Sequence, residues 1–160
     1  MIAALLKSMQ ANNKQGHLLK ALIDRNGLLE LPAEGTSMYP LIKQGDICQF
    51  TSIKHSPLKR GDIVLFESPA NKLIAHRLLN CSYVQEEEYY IFKGDTNYGV
   101  DDLVTREKII GKLVVIQKKS VAIQEKNVIA VLWGKLILAF PLLSVLLRKY
   151  INYQEWKKAD

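Results

Sequence analysis

Leu73-Ile74-Ala75-His76-Arg77-Leu78-Leu79 is a short apolar run that reads as a β-strand, and it carries one imidazole. In the alternation Ile74, His76, Leu78 the histidine shares a face with core residues. An imidazole placed there must find a hydrogen-bond partner or lose free energy. Similar runs lie on either side, at Ile47 to Phe50, Ile63 to Phe66, Tyr89 to Phe92 and Ile109 to Ile116. Turn signals separate them: Gln44-Gly45-Asp46, Arg60-Gly61-Asp62, Pro69-Ala70-Asn71 and Gly94-Asp95-Thr96-Asn97. Glu86-Glu87-Glu88 reads as a solvated hairpin tip. The expected fold class is therefore mainly β.

Outward from this β region the texture changes twice. Residues 17 to 26 place Leu18, Leu19, Leu22 and Ile23 at helical spacing, with Asn26-Gly27 as the stop. Residues 28 to 36 read as extended, because Pro32 disfavours helix. Beyond the strands, Val128 to Leu147 is a twenty-residue, mostly apolar segment whose only charge is Lys135. Its length could cross a bilayer core of about 30 Å as a helix. Pro141 and Lys135 oppose spanning, and basic residues flank both ends. Spanning, lying in the membrane interface, and packing as a buried helix all stay open. The expected organisation is an N-terminal helix and lead-in over 1–33, a β domain over 34–120, and an apolar, basic-flanked helical segment over 121–160.

With 160 residues, 48% of them hydrophobic and 24% charged, the chain can bury a core without disulfides or a structural metal. Its net charge of +6 comes without a basic run interleaved with aromatics in the first 120 residues, which argues against nucleic acid. The positive charge thickens towards the end instead, at Lys118, Lys119, Lys126, Arg148, Lys149, Lys157 and Lys158, where anionic lipid beside the apolar segment is the more natural partner. Cys48 and Cys81 are far apart in sequence and read as free thiols. Met1 to Lys7 is too short an apolar stretch for a signal peptide, so export is not expected.

Three segments can carry chemistry. In Gly35-Thr36-Ser37-Met38-Tyr39-Pro40 a serine follows glycine in a tight stretch ended by proline. It is not a G-x-S-x-G elbow, since Tyr39 replaces the second glycine. A serine hydroxyl is a poor nucleophile without a neighbouring base. Among the three histidines, His17 falls on the first helix and His55 in a polar loop, which leaves His76. The third segment, Lys93-Gly94-Asp95-Thr96-Asn97-Tyr98-Gly99-Val100-Asp101-Asp102, offers carboxylates that can fix the tautomer of an imidazole. Neither a metal site nor a cofactor is expected, because no further ligands cluster around those carboxylates.

Taken in order, these segments and Arg60-Gly61-Asp62-Ile63-Val64-Leu65-Phe66 resemble the type I signal peptidases. The resemblance is to the branch of the endoplasmic reticulum, archaea and some sporulating bacteria, and it covers residues 34 to 115. It implies a coiled β-sheet domain shared with LexA-like peptidases and a serine endopeptidase activity. Ser37 would be the nucleophile, with its backbone N–H in the oxyanion hole, and His76 the base where the bacterial branch has lysine. Asp102 would be the acidic partner, with Asp95 as a supporting or competing carboxylate. Met38 and Pro40 would flank the bound peptide. Gly35 stands where many members have a serine whose hydroxyl helps bind the oxyanion.

The family's membrane helix ahead of the nucleophile has no counterpart in residues 1–36. A membrane-associated chain with its catalytic domain facing the cytoplasm, trimming a leader or signal-type peptide, is the expectation that follows. Two rivals remain: a LexA-like self-cleaving regulator, and a catalytically silent membrane-associated binding protein.

Overall fold

A computed structural model describes residues 15–54 and 57–159; His55 and residues 1–7 lie outside them. The first element is helix α1, over residues 15–26, which ends where Gly27 takes φ +79° and its N–H bonds Ile23 O at 2.8 Å. The strands are β1 (Leu28–Pro32), β2 (Ile47–Thr51), β3 (Ile63–Glu67), β4 (Leu73–Val84), β5 (Glu87–Lys93), β6 (Val104–Thr105), β7 (Ile109–Gln117) and β8 (Ala122–Gln124). They form one curled antiparallel sheet in the order β1-β2-β7-β3-β4-β5-β6, with β8 on β7. The mainly β expectation holds at this level. Every apolar run quoted above lies within a strand, while β6 and β8 are too short to announce themselves. Gln85 and Glu86 both have positive φ and form the β4–β5 tip, so only the first residue of the acidic triplet lies in the turn and the other two begin β5.

β3 explains how the sheet can curl around a core. All five of its residues are buried, with Ile63 and Leu65 in one apolar cluster and Val64 and Phe66 in the other. A strand covered on both faces drops the polar alternation of a half-exposed one. In the second cluster Phe66 and Phe92 are fully buried and stack with ring centres 4.4 Å apart. The first cluster contains Ile23 from α1 and Ala130 from the C-terminal region, so helices cover that face.

The C-terminal segment is not a single helix. α2 (Val128–Ala139) starts at Asn127, whose side chain accepts a bond from Ile129 N–H. α3 (Leu142–Ala159) follows after Phe140 and Pro141, bent by 106° from α2. Proline lacks the N–H that would continue the ladder, so the break falls where the ring demands it. No single helix among the described residues is long and apolar enough to cross a membrane. The helical segment expected from residue 121 thus begins at Val128, because β8 extends the sheet first. Buried Lys112 reaches Asp62 at 3.2 Å and Glu125 at 3.1 Å, tying the turn before β3 to the lead-in of α2. Burial opposes its charge, yet these carboxylates outweigh burial and raise the ammonium's pKa above its ordinary value.

Candidate active site

β4 places His76 opposite Val64 and Arg77 opposite Ile63, so the two neighbours point to opposite faces of the sheet. His76 is buried against the edge of the Phe66 ring, at 6.4 Å between centres. Its Nε2 is 2.9 Å from Ser37 Oγ, 39 positions earlier in the chain. Its Nδ1 is 2.6 Å from Asp101 Oδ2. Serine, imidazole and carboxylate are therefore linked in series through the two ring nitrogens. With the carboxylate at Nδ1, the proton belongs there and Nε2 is left as the acceptor for the serine hydroxyl.

Backbone bonds hold the serine in position. Gly35 turns the chain with φ +72°, a conformation that side chains disfavour. Thr96 N–H then donates to Ser37 O at 2.9 Å, and Thr96 Oγ1 donates to Thr36 O at 3.2 Å. The 94–97 turn thus grips the serine loop from the β5 side, closed by Asn97 N–H on Gly94 O. Gly94 lets this turn come close: a Cβ there would lie 3.0 Å from His76 Nε2 and 2.9 Å from the Asn97 amide. Asp101 is anchored by its own N–H on Phe92 O at 2.8 Å, which aims the carboxylate at the ring.

The acidic residues are sorted differently from expectation. Asp102 is exposed, and the carboxylate on His76 is that of Asp101, one position earlier. Asp95 does not face the imidazole either. It is fully occupied on the other side of the sheet, where Arg77 Nε and Nη2 bind its two oxygens at 2.8 Å each. Trp133 Nε1 of α2 donates a third bond, also 2.8 Å, and Arg77 Nη1 reaches Gly61 O at 2.9 Å. A buried guanidinium demands a buried carboxylate, and Asp95 is the one within reach. Met38 departs from expectation in its side chain: at 4% exposure it packs in the first apolar cluster and not at the surface beside Ser37. Pro40 is half-buried.

Two further residues complete the frame: Trp133, which carries no sequence signal for this role, and Arg148, expected among the lipid-facing basic residues but turned inward instead. Trp133 joins α2 to Asp95, and Arg148 joins α3 to the 94–97 turn. Arg148 donates to Thr96 O at 3.1 Å, to Thr96 Oγ1 at 3.0 Å and to Asn97 Oδ1 at 3.0 Å. Gly134 allows the helix to pass over Arg77, since a Cβ there would lie 2.8 Å from Nη1. A cavity of about 580 Å³, lined in part by Gly94, Asp95, Lys93 and Ile137, opens beneath the helices. Neither it nor a second one of about 480 Å³ is lined by Ser37 or His76. Among the described residues no three His, Cys, Asp or Glu side chains converge as metal ligands. No protein-family model matches the chain, and no curated protein matches it in sequence.

Proposed function

We propose that this protein is a serine endopeptidase that cleaves a leader- or signal-type peptide by acyl transfer. The observation that carries the reading is the series Ser37 Oγ, His76 and Asp101, at 2.9 and 2.6 Å. His76 Nε2 takes the proton from Ser37 as Oγ attacks the scissile carbonyl carbon. Asp101 holds the ring and stabilises the imidazolium. The developing oxyanion is met by backbone N–H donors, that of Ser37 first, an interaction worth about 3 kcal/mol. The C–N bond then breaks, His76 gives its proton to the leaving amine, and water hydrolyses the acyl-enzyme with His76 again as base. The substrate would lie extended across the site and not inside either cavity, consistent with strand-like peptide binding. The order of motifs shared with type I signal peptidases supports the same reading.

The test is cleavage of a diverse peptide mixture by purified protein, read by mass spectrometry, beside Ser37→Ala and His76→Ala. Each substitution should abolish every cleavage while the circular dichroism and melting profile stay near those of the parent. Cleavage persisting in either folded variant rules the assignment out. Products cut from the chain itself, absent in Ser37→Ala, would move the reading to a self-cleaving regulator.

A further inference from the structure

The outward face of α3 combines three kinds of side chain that rarely meet on a water-facing helix. Leu142, Leu146, Tyr153 and Trp156 are 54–77% exposed, and Lys149 and Lys157 lie among them. On a helix of 3.6 residues per turn these six positions fall within about 120° of arc. The opposite face carries buried Ser144 and Ile151, and Arg148, which points to the 94–97 turn. Glu155, the only acidic residue of α3, lies off the outward arc. α2 repeats the arrangement: Val128, Leu132 and Leu136 are 43–70% exposed around exposed Lys135, while Ala130, Gly134 and Ile137 face the sheet. Neither arc contains a carboxylate.

We infer that these two arcs form a peripheral docking surface for an anionic phospholipid bilayer. The side-chain chemistry selects this occupant over others. A second copy or another protein would bury the arcs in a dry contact, where lysine is depleted. At a lipid head-group layer the lysine stems lie along the apolar surface and their ammonium groups reach the phosphates. Tyrosine and tryptophan match the same boundary, with an apolar body and a polar tip. Crossing the bilayer is not required: twelve-residue α2 is about 18 Å long against a core of about 30 Å, and the 106° bend turns α3 away from its axis. The surface thus rests on the membrane, shallowly inserted.

The experiment reads binding, so it is independent of any peptidase activity. Sucrose-loaded vesicles of phosphatidylcholine alone, and of equal parts phosphatidylcholine and phosphatidylglycerol, are sedimented with the full-length protein. The protein should partition onto the mixed vesicles, less so as salt rises, with a blue shift in fluorescence that Trp156→Phe removes. The pair Lys149→Gln and Lys157→Gln should weaken partitioning about thirtyfold, from about fivefold per lysine near an anionic surface. Leu132→Glu with Leu146→Glu, both at exposed positions that leave the core untouched, should abolish it. Equal binding to both vesicle types, no binding to either, or binding insensitive to these substitutions overturns the inference. So does self-association that the glutamate variants abolish while no vesicle is bound.

Discussion

Asp101 Oδ2 sits 2.6 Å from His76 Nδ1, whereas the adjacent Asp102 faces solvent. Neighbouring carboxylates of identical chemistry are thus separated by their place in the 94–103 loop, where the Asp101 N–H is held on Phe92 O. Asp101→Asn should lower kcat about 10⁴-fold on a peptide substrate, because the amide no longer fixes the imidazole tautomer. Asp102→Asn should leave kcat and KM within twofold, or about 0.4 kcal/mol, of the parent. Steady-state kinetics on the two variants decide which carboxylate supports the base.

The Arg77–Asp95 pair makes a different prediction, for stability. Both side chains are almost wholly buried, and the carboxylate receives three bonds. Arg77→Ala leaves Asp95 buried without a counter-charge and should cost about 3–5 kcal/mol. Asp95→Ala strands the guanidinium and should cost a similar amount. Urea denaturation measures both; a loss below 1 kcal/mol in each would mean that water reaches the pair.

Gly94→Ala tests the close approach of the turn to the imidazole. The added Cβ would sit 3.0 Å from Nε2 and 2.9 Å from the Asn97 amide, so the ring or the turn must shift. The expected result is a fall in kcat of at least about 10²-fold, as for other small misplacements of reacting groups. Stability should drop by only about 1–3 kcal/mol, the range for an overpacked contact. Unchanged kcat would show that the turn yields without moving His76.

Cys48 makes stability sensitive to alkali. Burial, followed by the charge of Asp46, pushes its thiol up to about 11. The folded pKa lies above the unfolded one, so the neutral thiol's contribution is full at pH 8 and is lost as pH rises toward 11. Between pH 9 and pH 11 the parent should therefore lose more stability than Cys48→Ala, measured by urea denaturation at each pH. Parallel curves would place the thiol in contact with water.

Much of the fold is legible in the sequence. The strand runs and glycine-containing turns fixed the β region, since periodicity and turn chemistry are local properties. Ser37 and His76 are picked out by the resemblance of the ordered motifs to the type I signal peptidases; taken alone, they read as a loop serine and a satisfied core histidine. What remained hidden depends on facing. Asp95 carried the right chemistry for His76 but lies across the sheet with Arg77, which follows only from the register of β4 against β5. Met38 looked like a groove residue beside the serine, yet its side chain goes to the core. Trp133 and Arg148 contact residues 38 and 52 positions away, a link with no sequence pattern. Pro141 marked the break between α2 and α3, but a proline does not state the angle of a bend.

Trp133 and Arg148 change what counts as the unit of the candidate site. A chain cut after residue 127 would retain every strand, the serine, the imidazole and the carboxylate. It would nonetheless lose the indole on Asp95 and the guanidinium that ties Thr96 to Asn97. The helical tail is a buttress: a fragment ending before it would keep the three side chains but lose the contacts that brace the turn beside them.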